Sequence, residues 1–150
     1  MSSHDEIDRL LKGLNAFIAG GQSEAMIAAA ESELGLSFPA SFREYLLRWG
    51  NLSFDGYEYY GLTQSSDFKK AGVPNCVWFT LRKRADVGLP HSLVVFRNDN
   101  DEEYVCIDSE PQGEERIVIW DNVGRCVSES FSMSMLDYLR EELSEWAGHS

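Results

Sequence analysis

The chain has 150 residues, of which 43% are hydrophobic and four are tryptophan, so it can bury a substantial core and is unlike a disordered protein. Its formal net charge of −12 argues against direct nucleic-acid binding, which requires a basic face to displace counterions from phosphates. The same charge suits either an ordinary acidic protein or one that attracts a basic partner by electrostatic steering.

The first predicted elements are two helices. Apolar residues recur at helical spacing from Ile7 to Ile18, which predicts an amphipathic helix over residues 5–18. Gly20 and Gly21 interrupt the pattern, and Ser23 is a suitable N-cap for a second helix that runs to Leu34. A glycine follows at position 35, where it can adopt the left-handed conformation of a C-cap.

The next stretch predicts a third helix followed by a β-hairpin. Pro39 can occupy the first turn of a helix, and four apolar residues then recur at helical spacing: Phe42, Tyr45, Leu46 and Trp49. Gly50 and Asn51 end this helix. Residues 52–62 then alternate around Asp55 and Gly56, a pair that favours the positive φ angles of a tight turn.

The second half predicts a helix, an antiparallel meander and a final helix. A polar surface loop over residues 63–74 precedes a helix over residues 75–87, with Asn75 as its N-cap. Three apolar runs at 92–96, 103–107 and 116–120 are separated by polar turns, and a short strand begins at Cys126. Residues 132–147 form the last helix. The predicted class is α+β, with an antiparallel sheet (meander plus N-terminal hairpin) packed against N-terminal, middle and C-terminal helices in one domain over residues 1–150.

Cysteine usage and the N-terminus indicate a cytoplasmic protein. Three cysteines without paired spacing are typical of reduced thiols, and Cys106 and Cys126 are expected in the core. The N-terminus is acidic where a signal peptide would be basic, and no apolar run approaches the ~20 residues of a membrane span. We therefore expect no membrane association.

No catalytic, cofactor or metal site is expected. Cys76 and His91 form the one plausible nucleophile–base pair, but neither has a recognisable local signature. Residues 98–103 superficially resemble a calcium loop but lack its central glycine and its terminal glutamate.

The distribution of carboxylates and tyrosines indicates candidate binding residues instead. No lysine or arginine lies between Asn98 and Glu115, and successive meander turns lie at opposite sheet ends, so two separate acidic patches are expected. Two interpretations of these carboxylates stay open: a solvated rim that protects edge strands, and a surface that captures a basic protein. In the hairpin, Tyr57 and Tyr59 share one face and Tyr60 takes the other, so one set belongs to the core and the other can anchor a partner. The candidate partner-binding residues are Asp55, Tyr57, Tyr59, Asp99, Asp101, Glu102, Glu103, Glu110, Glu114 and Glu115.

The order of short motifs resembles the SUKH superfamily, the Smi/Knr-type domains. The motifs are Glu31, Leu34-Gly35, Phe38-Pro39, Phe42, Tyr45-Leu46, Trp49-Gly50, Gly56-x-Glu58-x-x-Gly61-Leu62, Gly88-Leu89-Pro90, Tyr104-x-Cys106-x-Asp108 and Val118-x-Trp120-Asp121. The hairpin motif is similar to the branch of YobK-type immunity proteins.

This resemblance implies a bacterial immunity protein that neutralises a cognate toxin, often a nuclease. Together with the lack of a catalytic constellation and the acidity of the chain, it predicts non-catalytic occlusion of a basic toxin. It implies no cofactor, and we expect a monomer or weak dimer. The fungal branch implies an alternative, a ligand-binding or scaffolding domain in the regulation of cell-wall assembly.

Overall fold

The computed structural model describes residues 3–110 and 114–148, which form five helices and seven strands and confirm the α+β class. In chain order the elements are α1 (Ser3–Gly13), β1 (Phe17–Ile18), α2 (Glu24–Leu34), α3 (Ala40–Arg48), β2 (Leu52–Phe54), β3 (Tyr57–Tyr59), α4 (Cys76–Val87), β4 (Leu93–Asp99), β5 (Glu103–Asp108), β6 (Arg116–Asp121), β7 (Cys126–Ser132) and α5 (Met135–Gly148).

The bounds of α2 and α4 follow from their caps. The Ser23 hydroxyl accepts a hydrogen bond from the Met26 N–H at 3.1 Å, and the Asn75 side chain accepts from two N–H groups of the first turn of α4. Both helices end at a left-handed glycine, Gly35 and Gly88, each with φ of 71°. The predicted limits of these helices are confirmed because short-range chemistry determines them.

The first helix is shorter than predicted. It ends at Gly13, and Asn15 adopts a left-handed conformation with φ of 53°. Phe17 and Ile18, which continue the helical spacing, instead form β1 and pair with Ser53 and Leu52. Backbone pairing with a distant strand therefore overrides the local helical pattern, and the predicted helix over residues 5–18 is wrong in its last turns.

The strands form two antiparallel sheets, in the orders β1-β2-β3 and β4-β5-β6-β7. The hairpin turn is as predicted, with positive φ at Asp55 (47°) and Gly56 (81°). The hairpin and the meander were expected in one sheet, but the hairpin pairs with β1 instead. A hydrogen bond of 2.7 Å from the Tyr60 N–H to the Phe96 carbonyl links the end of the hairpin to the meander.

The last strand differs most from its prediction. Instead of a short strand, β7 spans seven residues and forms one edge of the four-stranded sheet. Cys126, expected in the core, is exposed at the start of β7, which is an edge strand with six of its seven residues exposed.

Helices cover both faces of the four-stranded sheet. On one face Phe79 of α4 packs edge-on against Tyr104, with ring centroids 5.3 Å apart. On the other, Tyr138 of α5 stacks with Phe131 of β7 at 6.4 Å. The sheet is therefore the middle layer, with its turns at the two ends of the layered structure.

Glycines allow three chain segments to meet closely behind α3. A Cβ atom on Gly61 would lie 1.7 Å from the Gly50 carbonyl oxygen, and one on Gly50 would lie 2.1 Å from the Gly20 carbonyl oxygen. The Leu62 N–H donates to Gly50 O at 3.0 Å in the same region. We call this contact, formed by Gly20, Gly50 and Gly61, the glycine seam. It joins the end of α3 to the segments before α2 and after β3.

Candidate protein-binding surface

The fold brings the β2–β3 hairpin next to the β4–β5 turn. The two enclose a cleft of about 140 Å³ whose walls include Gly56, Glu58 and Tyr60 from the hairpin and Asp99 and Asn100 from the turn. These segments lie forty residues apart in the chain, so the sequence does not by itself show that they meet. The structure therefore unites the two groups of candidate residues that were predicted independently.

Two carboxylates, those of Glu58 and Asp99, line this cleft together with the Arg97 guanidinium. We define the acidic turn surface as the side chains that the hairpin and the β4–β5 turn place together: Asp55, Tyr57, Glu58, Asp99, Asp101, Glu102 and Glu103. Burial raises the pKa of the Tyr60 hydroxyl, and the negative charges of Glu58 and Asp101 raise it further, while its hydrogen bond with Asn98 lowers it. Glu58 and Asp101 thus lie near one phenol, although Glu58 belongs to β3 and Asp101 to the β4–β5 turn. Glu58 was not among the predicted site residues. Its position in the predicted hairpin, next to Tyr57, could have identified it.

Hydrogen bonds hold the β4–β5 turn in a defined shape. Asn98 and Asp101 bind each other twice, through side chain to side chain at 2.9 Å and through the Asp101 N–H to the Asn98 oxygen at 2.8 Å. The Asn122 side chain donates to the Asp101 carbonyl at 2.8 Å. Asp99 accepts from the Arg97 guanidinium at 2.8 Å. The exposed carboxylates of Glu102 and Glu103 therefore project from a braced turn.

Tyr57 is the exposed aromatic residue of this surface. Its side chain is 36% exposed, and its ring lies 4.4 Å from that of Trp146, near the end of α5. The Arg97 guanidinium lies 5.7 Å from the Tyr57 ring centroid. The contacts with Trp146 and Arg97 restrict the rotamers of Tyr57, so it can contact a partner with little further loss of entropy. Trp146 was not among the candidate binding residues, because its contact with Tyr57 depends on tertiary packing.

Tyr59 lies in the core, so the prediction that it contacts a partner is wrong. It is fully buried, and its hydroxyl donates to Glu142 of α5 at 2.5 Å. Arg97 also donates to Glu142, which therefore binds both groups. Burial in the core, followed by the charge of Glu142, raises the pKa of Tyr59 far above its ordinary value. Alternation had placed Tyr57 and Tyr59 on one face, but only Tyr57 lies far enough toward the hairpin tip to reach solvent.

The remaining acidic candidates lie at the other end of the four-stranded sheet. Glu110, Glu114 and Glu115 flank the β5–β6 connection, whereas Asp99 pairs with Glu103 at the opposite end of the meander. Glu110 and Glu114 are exposed. Glu115 is instead half-buried and accepts two hydrogen bonds from Ser41. This carboxylate has a structural role, which corrects its assignment as a free partner-binding group.

The candidate nucleophile is held in its unreactive form. Cys76 is fully buried at the start of α4, and burial raises the pKa of its thiol to about 12 despite the opposing backbone hydrogen bonds. A thiol with this pKa is protonated at neutral pH and lies out of reach of a substrate. His91 is exposed and lies beside Gly35 rather than in a buried active site.

Across residues 3–110 and 114–148, no group of three or more histidine, cysteine, aspartate or glutamate side chains is arranged to hold a metal ion. Within the same residues, no helix has the length and apolar character required to cross a membrane.

Comparisons with known proteins support the fold and identify the family. A family model described as SUKH_5, SMI1-KNR4 cell-wall, matches residues 4–146. A solved structure described as a protein from Pseudomonas syringae pv. tomato superposes with a TM-score of 0.69 at 18% sequence identity, covering 92% of this chain and 96% of that one. A search of curated proteins found no match. At this identity the solved structure is evidence of a shared fold alone. The family model covers nearly the whole chain, and the protein therefore belongs to the SUKH_5 branch of the SMI1-KNR4 family.

Proposed function

We propose that this protein is a bacterial immunity protein that binds and neutralises a cognate polymorphic toxin in the cytoplasm of the producing cell. The toxin is a basic protein, a nuclease, and the immunity protein blocks it by covering a surface that the toxin needs. Family membership supports the general role. The immunity protein acts as a monomer or weak dimer and requires no cofactor.

The observation that carries the proposal is the convergence of the hairpin with the β4–β5 turn. It places one partly exposed tyrosine, Tyr57, within a group of carboxylates on a braced turn. Arg97 is the cation beside Tyr57, and its guanidinium is bound to Asp99 and Glu142. Exposed carboxylates attract a basic protein and raise its rate of association, while a restrained aromatic side chain contributes binding energy after contact.

Occlusion is favoured over catalysis by the state of the candidate nucleophile. The Cys76 thiol is fully buried, and burial raises its pKa to about 12, so the thiol is protonated at neutral pH. A nuclease, in contrast, must bind phosphates and therefore presents a basic surface. The net charge of −12 on this protein is opposite in sign to such a surface and therefore attracts it.

The test is coexpression with the protein encoded immediately upstream. We expect that protein to inhibit bacterial growth alone, to be neutralised by coexpression, and to bind the purified immunity protein with an association rate that falls as salt increases. A neighbouring protein that neither binds nor is neutralised would contradict the proposal.

A charge-matched pair of variants tests the surface. Glu102→Gln/Glu103→Gln removes two exposed carboxylates from the acidic turn surface, and Glu33→Gln/Glu141→Gln removes two exposed carboxylates from helices α2 and α5. Both variants change the net charge equally. We expect the first to slow association about tenfold at low salt and the second to change it less than about twofold. Equal effects would show that net charge alone, and not this surface, attracts the toxin.

The family description favours one alternative, since it refers to the cell wall. In that case the protein would bind a regulator of cell-wall assembly and would not protect against its neighbour. Growth of a deletion strain under cell-wall stress distinguishes the two functions, because loss of an immunity protein causes toxicity only where the toxin is present.

A further inference from the structure

A groove lies on one face of the four-stranded sheet, beside the segment that leads from α4 into β4. Its volume is about 440 Å³, within the range of about 300–1,000 Å³ that is usual for small-molecule sites. Three apolar side chains from three strands line it: Leu93 of β4, Val118 of β6 and Val127 of β7. Leu93 and Val118 are almost fully buried, whereas Val127 is 48% exposed. The apolar part of the groove therefore has a closed floor and one open side.

Side chains of both charges stand at one end of this groove. Asp108 is the last residue of β5 and Arg116 the first of β6, and Ile107 pairs with Ile117 next to them. The antiparallel ladder therefore makes Asp108 and Arg116 neighbours across the two strands. Glu110 follows shortly after Asp108 and lines the same groove. The groove thus offers one guanidinium next to two carboxylates.

These opposite charges do not neutralise each other. Within residues 3–110 and 114–148, neither Arg116 nor the two carboxylates form an ion pair. The Arg116 guanidinium donates to the Ser130 hydroxyl of β7 at 3.3 Å, and β6 lies between β5 and β7, so this head group turns away from Asp108. Asp108 accepts from the Glu110 N–H at 3.0 Å. Both charges therefore remain available to a ligand.

Charge and shape together select one class of small molecule. An anionic ligand would meet the carboxylates of Asp108 and Glu110, and a cationic ligand would meet Arg116. A zwitterion satisfies both, and an α-amino acid carries its ammonium and carboxylate groups on a single carbon, which matches charges on neighbouring strands. Arginine binds a carboxylate through two parallel hydrogen bonds. The apolar floor beside the charged end suits an aliphatic side chain.

We propose that this groove binds an α-amino acid with an aliphatic side chain, in its zwitterionic form. The Arg116 guanidinium binds the carboxylate, Asp108 and Glu110 receive the ammonium group, and the side chain packs on the apolar floor. The charged end of the groove lies at the opposite end of the sheet from the acidic turn surface. The site therefore does not depend on the function proposed above.

The experiment titrates leucine into the full-length, isotope-labelled protein and follows the backbone amide signals by NMR. Three related compounds each lack one feature of leucine: N-acetyl-leucine lacks the ammonium group, leucinamide lacks the carboxylate, and glycine lacks the aliphatic side chain. The dipeptide Leu-Leu, whose charged ends are farther apart, distinguishes a free amino acid from a short peptide as the source of the zwitterion.

We expect leucine to bind with a dissociation constant of about 1 mM or lower and to shift the amide signals of Arg116 and Val118. The three related compounds and Leu-Leu should each bind at least about fivefold more weakly, because each leaves one part of the groove without its complement. Absence of leucine binding or equal binding of N-acetyl-leucine would overturn the proposal. A dipeptide that binds more tightly than leucine would overturn the assignment to a free amino acid.

Matched variants test the location of the site. Arg116→Gln and Asp108→Asn each remove one charge from the groove, and asparagine keeps an oxygen that can accept from the Glu110 N–H. Arg9→Gln on α1 and Glu141→Gln on α5 remove one charge of each sign from exposed positions outside the groove. We expect the first two variants to weaken leucine binding at least about fivefold and the two controls less than about twofold. Unchanged binding by Arg116→Gln would place leucine elsewhere and overturn the proposal.

Discussion

The carboxylate of Glu115 accepts hydrogen bonds from both the N–H and the hydroxyl of Ser41, at 3.2 and 2.6 Å. These residues are separated by 74 positions in the chain, and Ser41 lies in the first turn of α3, whose N-cap Pro39 offers no side-chain acceptor. The Ser41 hydroxyl also accepts from the Met135 N–H at the start of α5. Glu115 therefore supplies the missing cap of α3 and links it to the β5–β6 connection.

Removal of the Glu115 carboxylate should consequently destabilise the protein. Glu115→Ala leaves the Ser41 N–H without its acceptor, and we expect the free energy of unfolding in urea to fall by about 1–3 kcal/mol. The neighbouring Glu114→Ala is the control, since that side chain is exposed, and it should change stability by less than about 0.5 kcal/mol. Equal stability of the two variants would show that the cap contributes nothing.

Replacement of Arg97 by methionine should have a larger effect. The Arg97 side chain is mostly buried and binds Asp99 and Glu142, so Arg97→Met leaves the partly buried Glu142 without its cation. We expect a loss of about 3 kcal/mol in the free energy of unfolding. Arg82→Met is the matched control, because Arg82 forms a solvent-exposed pair with Asp86 at 3.9 Å worth less than about 1 kcal/mol. A loss as small as that of the control would contradict the assigned role of Arg97.

Tyr57 should contribute to toxin binding through its ring. In Tyr57→Ala, the affinity for the toxin that coexpression identifies should fall at least about tenfold, as titration calorimetry can measure. Tyr57→Phe keeps the ring and should bind within about threefold of the wild type. Phe17→Ala removes another exposed aromatic side chain, on β1, and should leave affinity unchanged. If Phe17→Ala weakens binding as much as Tyr57→Ala does, the interface lies elsewhere.

The three cysteines should differ sharply in reactivity. Cys126 is exposed, whereas Cys76 and Cys106 are fully buried and burial raises the pKa of both thiols. We expect iodoacetamide at neutral pH to modify Cys126 in the native protein, and all three cysteines only after unfolding, as peptide mass spectrometry can show. Modification of Cys76 at the rate of Cys126 in folded protein would mean that the start of α4 opens readily.

Local chemistry explains which parts of the fold were predictable. Ser23, Asn75, Gly35 and Gly88 act within one helical turn, so their effects on α2 and α4 can be inferred from neighbouring residues. The end of α1 cannot be inferred in this way. The spacing of Phe17 and Ile18 is still helical, but these residues pair with the distant strand β2. The length of β7 was not predictable either. Four of its seven residues are serine or glutamate (Ser128, Glu129, Ser130 and Ser132), so the strand lacks the alternation of apolar and polar residues that would indicate it.

The candidate surface was predictable in composition but only partly in arrangement. The absence of lysine and arginine between Asn98 and Glu115 drew attention to the meander turns, and the strand order places those turns at opposite ends. Alternation cannot show that Tyr59 is buried while Tyr57 is exposed, because this depends on where α5 crosses the hairpin. Nor can it show that Glu115 binds Ser41.

The glycine seam has a consequence for how this chain tolerates mutation. At Gly61 and Gly50 even a methyl group would collide with a main-chain oxygen, which cannot rotate away as a flexible side chain can. In a saturation-mutagenesis library selected for soluble protein, these two codons should accept no replacement. Gly56, whose Cβ position is open, should accept asparagine or aspartate, which tolerate its left-handed backbone.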